Sequence, residues 1–211
     1  CKNALVQEES LRERKKARTW HDIHVAAAEA VLERGLQAVT VEDIAASVGI
    51  SQRTFFNYFP TKDHAVVGVR EPAIPDGAAE RPPEGASTLR SVVELYMQLL
   101  ASAMPANSAD FRVRLMQTHP DLGRLLKDTM HGCEHMVRDV VHGWAEQGLE
   151  PRLLGPGHDL DERISMLVLT AGAALRFVFS RPDRVPGSDP SPEDLDHAVD
   201  VLVSLIRTDH A

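Results

Sequence analysis

Apolar residues along this chain recur at spacings of three and four and almost nowhere alternate. Ile23, Ala26, Ala27, Ala30 and Val31 set the first such run, which makes one apolar stripe on an α-helix. Ser10 followed by Glu13 predicts a capping box at its start, and Gly35 a stop at its end. Thr40 then precedes Val41-Glu42-Asp43-Ile44-Ala45. Its hydroxyl suits the orphan amides of a second helix, and the two acids complement the positive helix end. That helix is short and stops at Gly49. A third is predicted from Ser51 to about Tyr58, broken by Pro60, and a fourth near Lys62–Val69 after Thr61. The stretch Glu71–Ala86, rich in Pro and Gly, is expected to be a partly mobile loop. Helices are predicted again over Ser87–Met104, Ala109–His119, Asp121–Gln147, Asp159–Ser180 and Pro192–Thr208, with breaks at Gly148–Gly157 and Arg181–Pro190. No segment sustains strand alternation, and no internal repeat is visible. The expected class is all-α, with a three-helix head over residues 1–60 and a helical body over 61–211.

Composition narrows the class. The 211 residues are 43% hydrophobic and 26% charged, as in an ordinary globular protein, which excludes a collagen-like or wholly disordered chain. No apolar run reaches the roughly 18 residues that suggest a membrane span, and the first residues carry no apolar signal-peptide core. No membrane partner is therefore expected. Cys1 and Cys133 cannot make a disulfide scaffold, so a reducing cytoplasm is the expected location. The chain opens on Cys1 rather than Met, and a start upstream of it is expected.

The net charge is −8, from 31 acids and 23 bases, which argues against indiscriminate nucleic-acid binding. Its distribution changes the picture. Residues 1–70 carry ten bases and nine acids, whereas residues 71–211 carry thirteen and twenty-two. Arg12, Arg14, Lys15, Lys16 and Arg18 fall together. A near-neutral head with a basic cluster thus sits on an acidic body, and only the head suits approach to phosphates. Arg12 and Lys16 share one helix face and Arg14 and Arg18 another, so the cluster is not a single stripe. Contact with DNA backbone or minor groove and plain solvation are both open to it.

Residues 41–58, VEDIAASVGISQRTFFNY, have helix-turn-helix form. Ile44, Ala45 and Val48 give the first helix an apolar edge, and Ala45 is small where two helices must approach. Gly49 permits a positive φ in the turn. Ile50 plugs the angle between the helices, and Phe55 and Phe59 anchor the second to the core. Gln52, Arg53, Thr54, Asn57 and Tyr58 are left as polar groups. The second helix of such a motif enters the major groove, where Gln, Arg and Asn have bidentate geometry for base edges. An ordinary αα-hairpin shares this spacing.

The flanks resemble the TetR family of bacterial transcriptional repressors. Ile23, Ala26, Ala27, Glu33 and Gly35 match one part of the family pattern, and Thr40-Val41-Glu42-Asp43-Ile44-Ala45 a second. Gly49-Ile50-Ser51 and Phe56-Asn57-Tyr58-Phe59-Pro60-Thr61-Lys62 match two more. The resemblance covers about residues 14–68. It implies that Thr40, Tyr58 and Lys62 grip phosphates of double-stranded DNA. Thr40 and Lys62 lie near helix starts, where amides and dipole favour an anion. Two residues depart from the pattern. Arg53 stands where the family usually has a small residue, which leaves it as a base reader or a phosphate contact. Phe56 stands where Tyr is frequent and cannot donate a hydroxyl.

The body shows no catalytic signature: no Gly-rich phosphate loop, no Gly-x-Ser-x-Gly and no His-Glu-x-x-His. No catalytic residue, cofactor or metal is expected. His131, His135 and His142 share a helix face, but Cys133 lies on another and no carboxylate of that helix completes a set. In TetR-like proteins this region binds a small ligand and forms the dimer. The run from Arg112 through His119-Pro120-Asp121-Leu122 to Trp144 looks like a subset that takes acyl-CoA-like ligands. Methionines and large apolar residues on the inner helices suit an apolar cavity as well as a plain core. Phe111, Leu115, Trp144 and Phe177 are the expected wall residues. Leu167–Ala174, apolar nearly all round, and the stripe Leu195, Val199, Leu202, Leu205–Ile206 are the expected homodimer interface. Gly172, Ala173 and Ala174 are expected to let helices approach closely there.

The reading is a homodimeric repressor that holds a palindromic operator and is released by a small, mainly apolar ligand. A ligand-independent regulator or an activator is the alternative. A helical small-molecule enzyme is the reading from another class, and it requires turnover with no salt-sensitive DNA binding.

Overall fold

The computed structural model describes residues 2–83, 86–105, 108–149, 158–181, 188 and 190–208, and only the backbone of residues 2–10, 13 and 206–208. Among the described residues there are nine α-helices and no strand, so the class is all-α. The chain divides into two compact units: residues 1–70 with 108–126, and residues 71–107 with 127–211.

The first unit is built on α1 (Lys2–Arg34). The helix passes straight through Ser10, so it does not begin there as the sequence pattern suggests. The side chains of that capping box lie outside the described residues. Trp20, Ile23, His24, Ala27, Ala28 and Val31 give α1 its buried stripe. A 3₁₀ turn at Leu36–Ala38, which the spacing does not announce, leads into α2 (Val41–Ser47), α3 (Gln52–Phe56) and α4 (Lys62–Val67). Phe55, Phe59 and Ile44 fill the space between them and are 0–1% exposed. α6 (Ala109–Thr118) and a 3₁₀ turn at Pro120–Leu122 complete this unit, with α6 packed on α1 and α4.

His24 ties these helices together. Its Nδ1–H donates to the Ala65 carbonyl of α4 at 2.7 Å, and the Phe111 ring of α6 meets it edge-on at 5.6 Å. Gly68 lies against the imidazole, and its carbonyl accepts from Arg112 Nη1 at 3.4 Å. Burial, helped by the positive charge of Arg112 and of His21, pushes the His24 pKa down to about 4, against the pull of the Ala65 carbonyl. The neutral ring is thus the folded form. Its Nε2 is buried with no partner, so charging it would add a second buried N–H without an acceptor. The unfolded chain, with an ordinary histidine near 6.5, binds more protons between pH 6.5 and 4. Stability is therefore lost as pH falls through that window, by about 2 kcal/mol at pH 5 relative to pH 7.5. Urea unfolding at the two pH values checks this, and His24→Asn is expected to flatten the difference.

The second unit packs α5 (Thr88–Ala103), the part of α7 (Gly123–Glu146) after Leu126, α8 (Leu160–Ser180) and α9 (Pro192–Thr208). Val92, Tyr96 and Leu99 of α5 meet Ile164, Val168, Ala171 and Leu175 of α8 in one core that also takes Val137, Val141 and Trp144. The Pro/Gly-rich stretch is held rather than loose where it is described. Trp144 Nε1–H donates to the Ala78 carbonyl at 2.8 Å, and the Gln147 amide bonds Ala79 and Arg81. Residues 84–85 of that stretch lie outside the described residues, as do 150–157 and most of 182–189 in the later breaks.

α8 is long and apolar enough to cross a membrane by length and composition. It carries Asp161, Glu162, Arg163 and Arg176, however, and buries seven apolar residues in the bundle. Its apolar circumference divides into two faces. Ile164, Leu167, Val168, Ala171, Ala174, Leu175 and Val178 are buried, whereas Met166, Leu169, Ala173 and Phe177 are exposed at spacings of three and four. Phe177 lies 6.1 Å from the His197 ring of α9, ring centre to ring centre. Along α9, the half-buried Val201 and the exposed Leu205 stand four and eight residues after His197. The side chain of Ile206 lies outside the described residues. Gly172 is not on the exposed face, since a Cβ there would meet Tyr96 Cε1 of α5 at 3.4 Å.

Candidate nucleic-acid interface

The two short helices of the motif are set by local hydrogen bonds. The Thr40 hydroxyl accepts from the Asp43 amide at 3.1 Å, and the Asp43 carboxylate accepts from the Thr40 amide at 3.0 Å. The Thr40 amide and then its hydroxyl, with Arg34 further off, hold the Asp43 carboxyl below its ordinary pKa. The reciprocal bonding uses the Thr40 oxygen as an acceptor for the Asp43 amide, with the hydroxyl beside the Asp43 carboxylate. Thr40 is exposed.

The turn closes through Gly49 N–H to the Ala46 carbonyl at 3.1 Å and Ile50 N–H to the Ala45 carbonyl at 2.9 Å. Gly49 has φ +70°, the left-handed conformation that glycine adopts without a Cβ clash. Ser51 then caps α3, accepting from the Thr54 amide at 3.1 Å, while its oxygen lies 2.9 Å from the Thr54 hydroxyl.

Phe55 is the fully buried anchor of α3, and it fixes the rest by helical spacing. Arg53 and Asn57 fall on the opposite side, Phe56 and Gln52 flank them, and all four are exposed. Thr54 and Tyr58 lie at the margins and are half-buried. Thus the exposed polar face contains three of the five residues expected there, and Phe56 joins them. Its ring is 53% exposed and stands edge-on to Phe55 at 5.5 Å. An apolar group among bidentate donors suits contact with a thymine methyl. The signal that finds it is the spacing from Phe55: adjacent residues on a helix cannot both face the core.

Lys62 is occupied differently from the expectation. Its Nζ donates to the Leu36 carbonyl at 2.6 Å and the Val39 carbonyl at 2.9 Å. Two of its three donors thus close the 3₁₀ turn before α2. Its first effect is to hold Thr40 and α2 in place.

The four expected ligand-wall residues divide between the two units. Phe111 packs on His24 and Leu115 is fully buried, both within the first unit. Trp144 is buried in the second unit, and Phe177 stands on the exposed face of α8 rather than an inner one. Met130, Met166 and Leu169 are 39–48% exposed. Two clefts of about 410 and 420 Å³ lie along α1 and share Glu29 and Glu33, and none of the four wall residues lines either. Among the described residues no three metal-binding side chains gather. His142 instead lies 3.5 Å from Asp161.

Comparison with known proteins gives four findings. The structure of a Mesorhizobium loti MAFF303099 protein assigned as a TetR-family transcriptional regulator is similar at 17% identity and a TM-score of 0.44, covering 90% of this chain and 95% of that one. Salmonella enterica GusR is similar at 16% identity and a TM-score of 0.43, covering 90% and 96%. No curated protein matches the chain. Residues 23–66 match the family model of the bacterial regulatory proteins, tetR family. That segment runs from the buried Ile23 of α1 through α2 and α3 to Val66 of α4, the same helices that present Gln52, Arg53, Phe56 and Asn57. Over residues 23–66 the chain is therefore similar to the bacterial regulatory proteins of the tetR family.

Proposed function

We propose that the protein is a homodimeric repressor that acts in the cytoplasm on a palindromic operator and responds to a small, mainly apolar ligand. The observation that carries the reading is the exposed face of α3. Gln52, Arg53, Phe56 and Asn57 offer two base-reading amides, a guanidinium and an apolar edge. Thr40 and Tyr58 are the proposed phosphate contacts beside it, with Thr54 at the margin and Lys62 as their support.

The homodimer is supported by the exposed stripe of α8 and α9. Met166, Leu169, Phe177 and Leu205 are 38–63% exposed, and a contiguous apolar patch of this kind marks an interface. A two-fold pairing of two helices from each chain makes a four-helix contact. Two α3 helices then meet half-sites one helical turn or a multiple apart, about 34–36 Å per turn. Ligand response is supported by the resemblance and by Met97, Met104 and Met136, which are partly buried against the body core. Trp144 remains the proposed wall residue there. Ligand and operator would prefer different states of the dimer, so each must weaken the other by the same factor. The reading as a regulator rather than an enzyme is supported by the match of residues 23–66 to the bacterial regulatory proteins, tetR family.

The test separates base reading from support. Arg53→Ala and Asn57→Ala are each expected to weaken binding to the selected operator by about 1–3 kcal/mol while changing binding to random duplex far less. Lys62→Ala is expected to lower stability by about 1.5–3 kcal/mol, through two lost charge-assisted bonds, and to leave the salt dependence of binding nearly unchanged. Fluorescence anisotropy at several salt concentrations and urea unfolding measure both. Equal losses on operator and random DNA for Arg53→Ala and Asn57→Ala would refute base reading by α3.

A further inference from the structure

The basic cluster at residues 12–18 is not used by the helix-turn-helix, and the structure gives it a place. Arg12, Arg14, Lys15, Lys16 and Arg18 are all exposed along α1, which continues without a break to Arg34. This stretch leaves the head at Trp20, whose ring lies 5.1 Å from that of Phe59. Phe59 directly follows Tyr58 and lies three residues past the end of α3. At about 1.5 Å per residue, Arg12 stands about 12 Å beyond Trp20 along the helix. The cations therefore begin beside the C-terminal end of α3 and run outward from it.

Their arrangement fits a duplex surface rather than a pocket. Arg12, Lys15 and Lys16 stand at i, i+3 and i+4 and share one face, with Arg14 and Arg18 on another. Arg18 lies 3.9 Å from Asp22, but both are largely exposed and such a pair is weak. Glu13 is the one acid between Leu11 and His21. Elsewhere the chain is acidic, with a net charge of −8 overall, so a polyanion is drawn to this end. Leu11 and Ala17 are the only apolar residues from 11 to 19. The stretch thus lacks the apolar face by which a helix lies on a membrane surface.

We propose that residues 12–18 of α1 form a second, sequence-independent DNA contact, made to phosphates flanking the half-site that α3 reads. The proposal rests on the operator-binding reading. Duplex DNA carries one charge per roughly 1.7 Å of axis, so a helical stretch of about 9 Å faces several phosphates.

The test uses the full chain and a duplex that the wild type selects from a random pool. One version ends at the outer edges of the half-sites, and the other adds ten base pairs of arbitrary sequence to each side. The wild type is expected to bind the longer version roughly tenfold more tightly, with the steeper salt dependence. The triple variant Arg12→Gln, Lys15→Gln, Lys16→Gln is expected to bind both versions alike, its slope on the longer one reduced by about 2–3. Arg12→Lys, which keeps the charge, is expected to behave as wild type. A triple variant that keeps the length preference and slope overturns the proposal. So does a wild type indifferent to length, or one that binds anionic vesicles but gains nothing from the flanks. Failure to select any duplex overturns the operator reading itself, and this proposal with it.

Discussion

Gly68→Ala is expected to destabilise the N-terminal unit by about 2–5 kcal/mol, the sum of a strained backbone and an overpacked core. Gly68 ends α4 at φ +69°, and a Cβ there would lie 2.5 Å from His24 Cε1 and 2.7–2.8 Å from both ring nitrogens. The ring cannot swing away freely, because Ala65 holds its Nδ1 and Phe111 closes its other side. Gly49→Ala is the control for the backbone part alone. Gly49 has φ +70° but nothing within 4 Å of its would-be Cβ, so about 1–2 kcal/mol is expected. Thermal or urea unfolding of both variants measures the difference. A double-mutant cycle with His24→Ala isolates the clash, since removing the ring is expected to restore part of the Gly68→Ala loss.

The second large effect concerns assembly. Leu169→Glu or Phe177→Glu is expected to give folded monomers whose operator affinity falls by at least two orders of magnitude. Both side chains are exposed in the single chain, 48% and 38%, so the carboxylate is solvated in the monomer. In the dimer it is buried without a partner, at several kcal/mol per ion. Sedimentation at micromolar concentration reads the assembly, and circular dichroism shows whether the fold is kept. Gly172→Glu is a different probe. Its side chain would press on Tyr96 inside the bundle, so it is expected to unfold the body. A dimer that survives both Leu169→Glu and Phe177→Glu would move the interface away from α8.

These cases show what the sequence makes legible. Helix ends set by one to three neighbouring residues read directly: Thr40 caps α2, Ser51 caps α3 and Asp159 caps α8, each by a side chain accepting an amide within the first turn. The helix-turn-helix is legible for the same reason, because its turn and its Phe55 anchor are local. Lys62 is not, since its carbonyl partners lie 23 and 26 residues upstream. No spacing of 108–126 announces that this segment packs with the first 70 residues. α8 shows a third limit. A helix apolar on all sides does not say which side is covered within the chain, so Phe177 reads as a cavity wall and stands on the exposed face. Leu115 and Trp144 are buried as their type suggests, and Phe177 alone of the four is among the exposed large apolar residues.

The most direct test is binding by the intact chain to duplex selected from a random pool, measured against a scrambled duplex of the same composition and length at physiological salt. The account predicts an inverted repeat in the selected sequences, two chains bound per duplex and a preference of at least about 10³-fold over the scrambled control. Equal affinity for both duplexes, with no repeat in the selected pool, would contradict it.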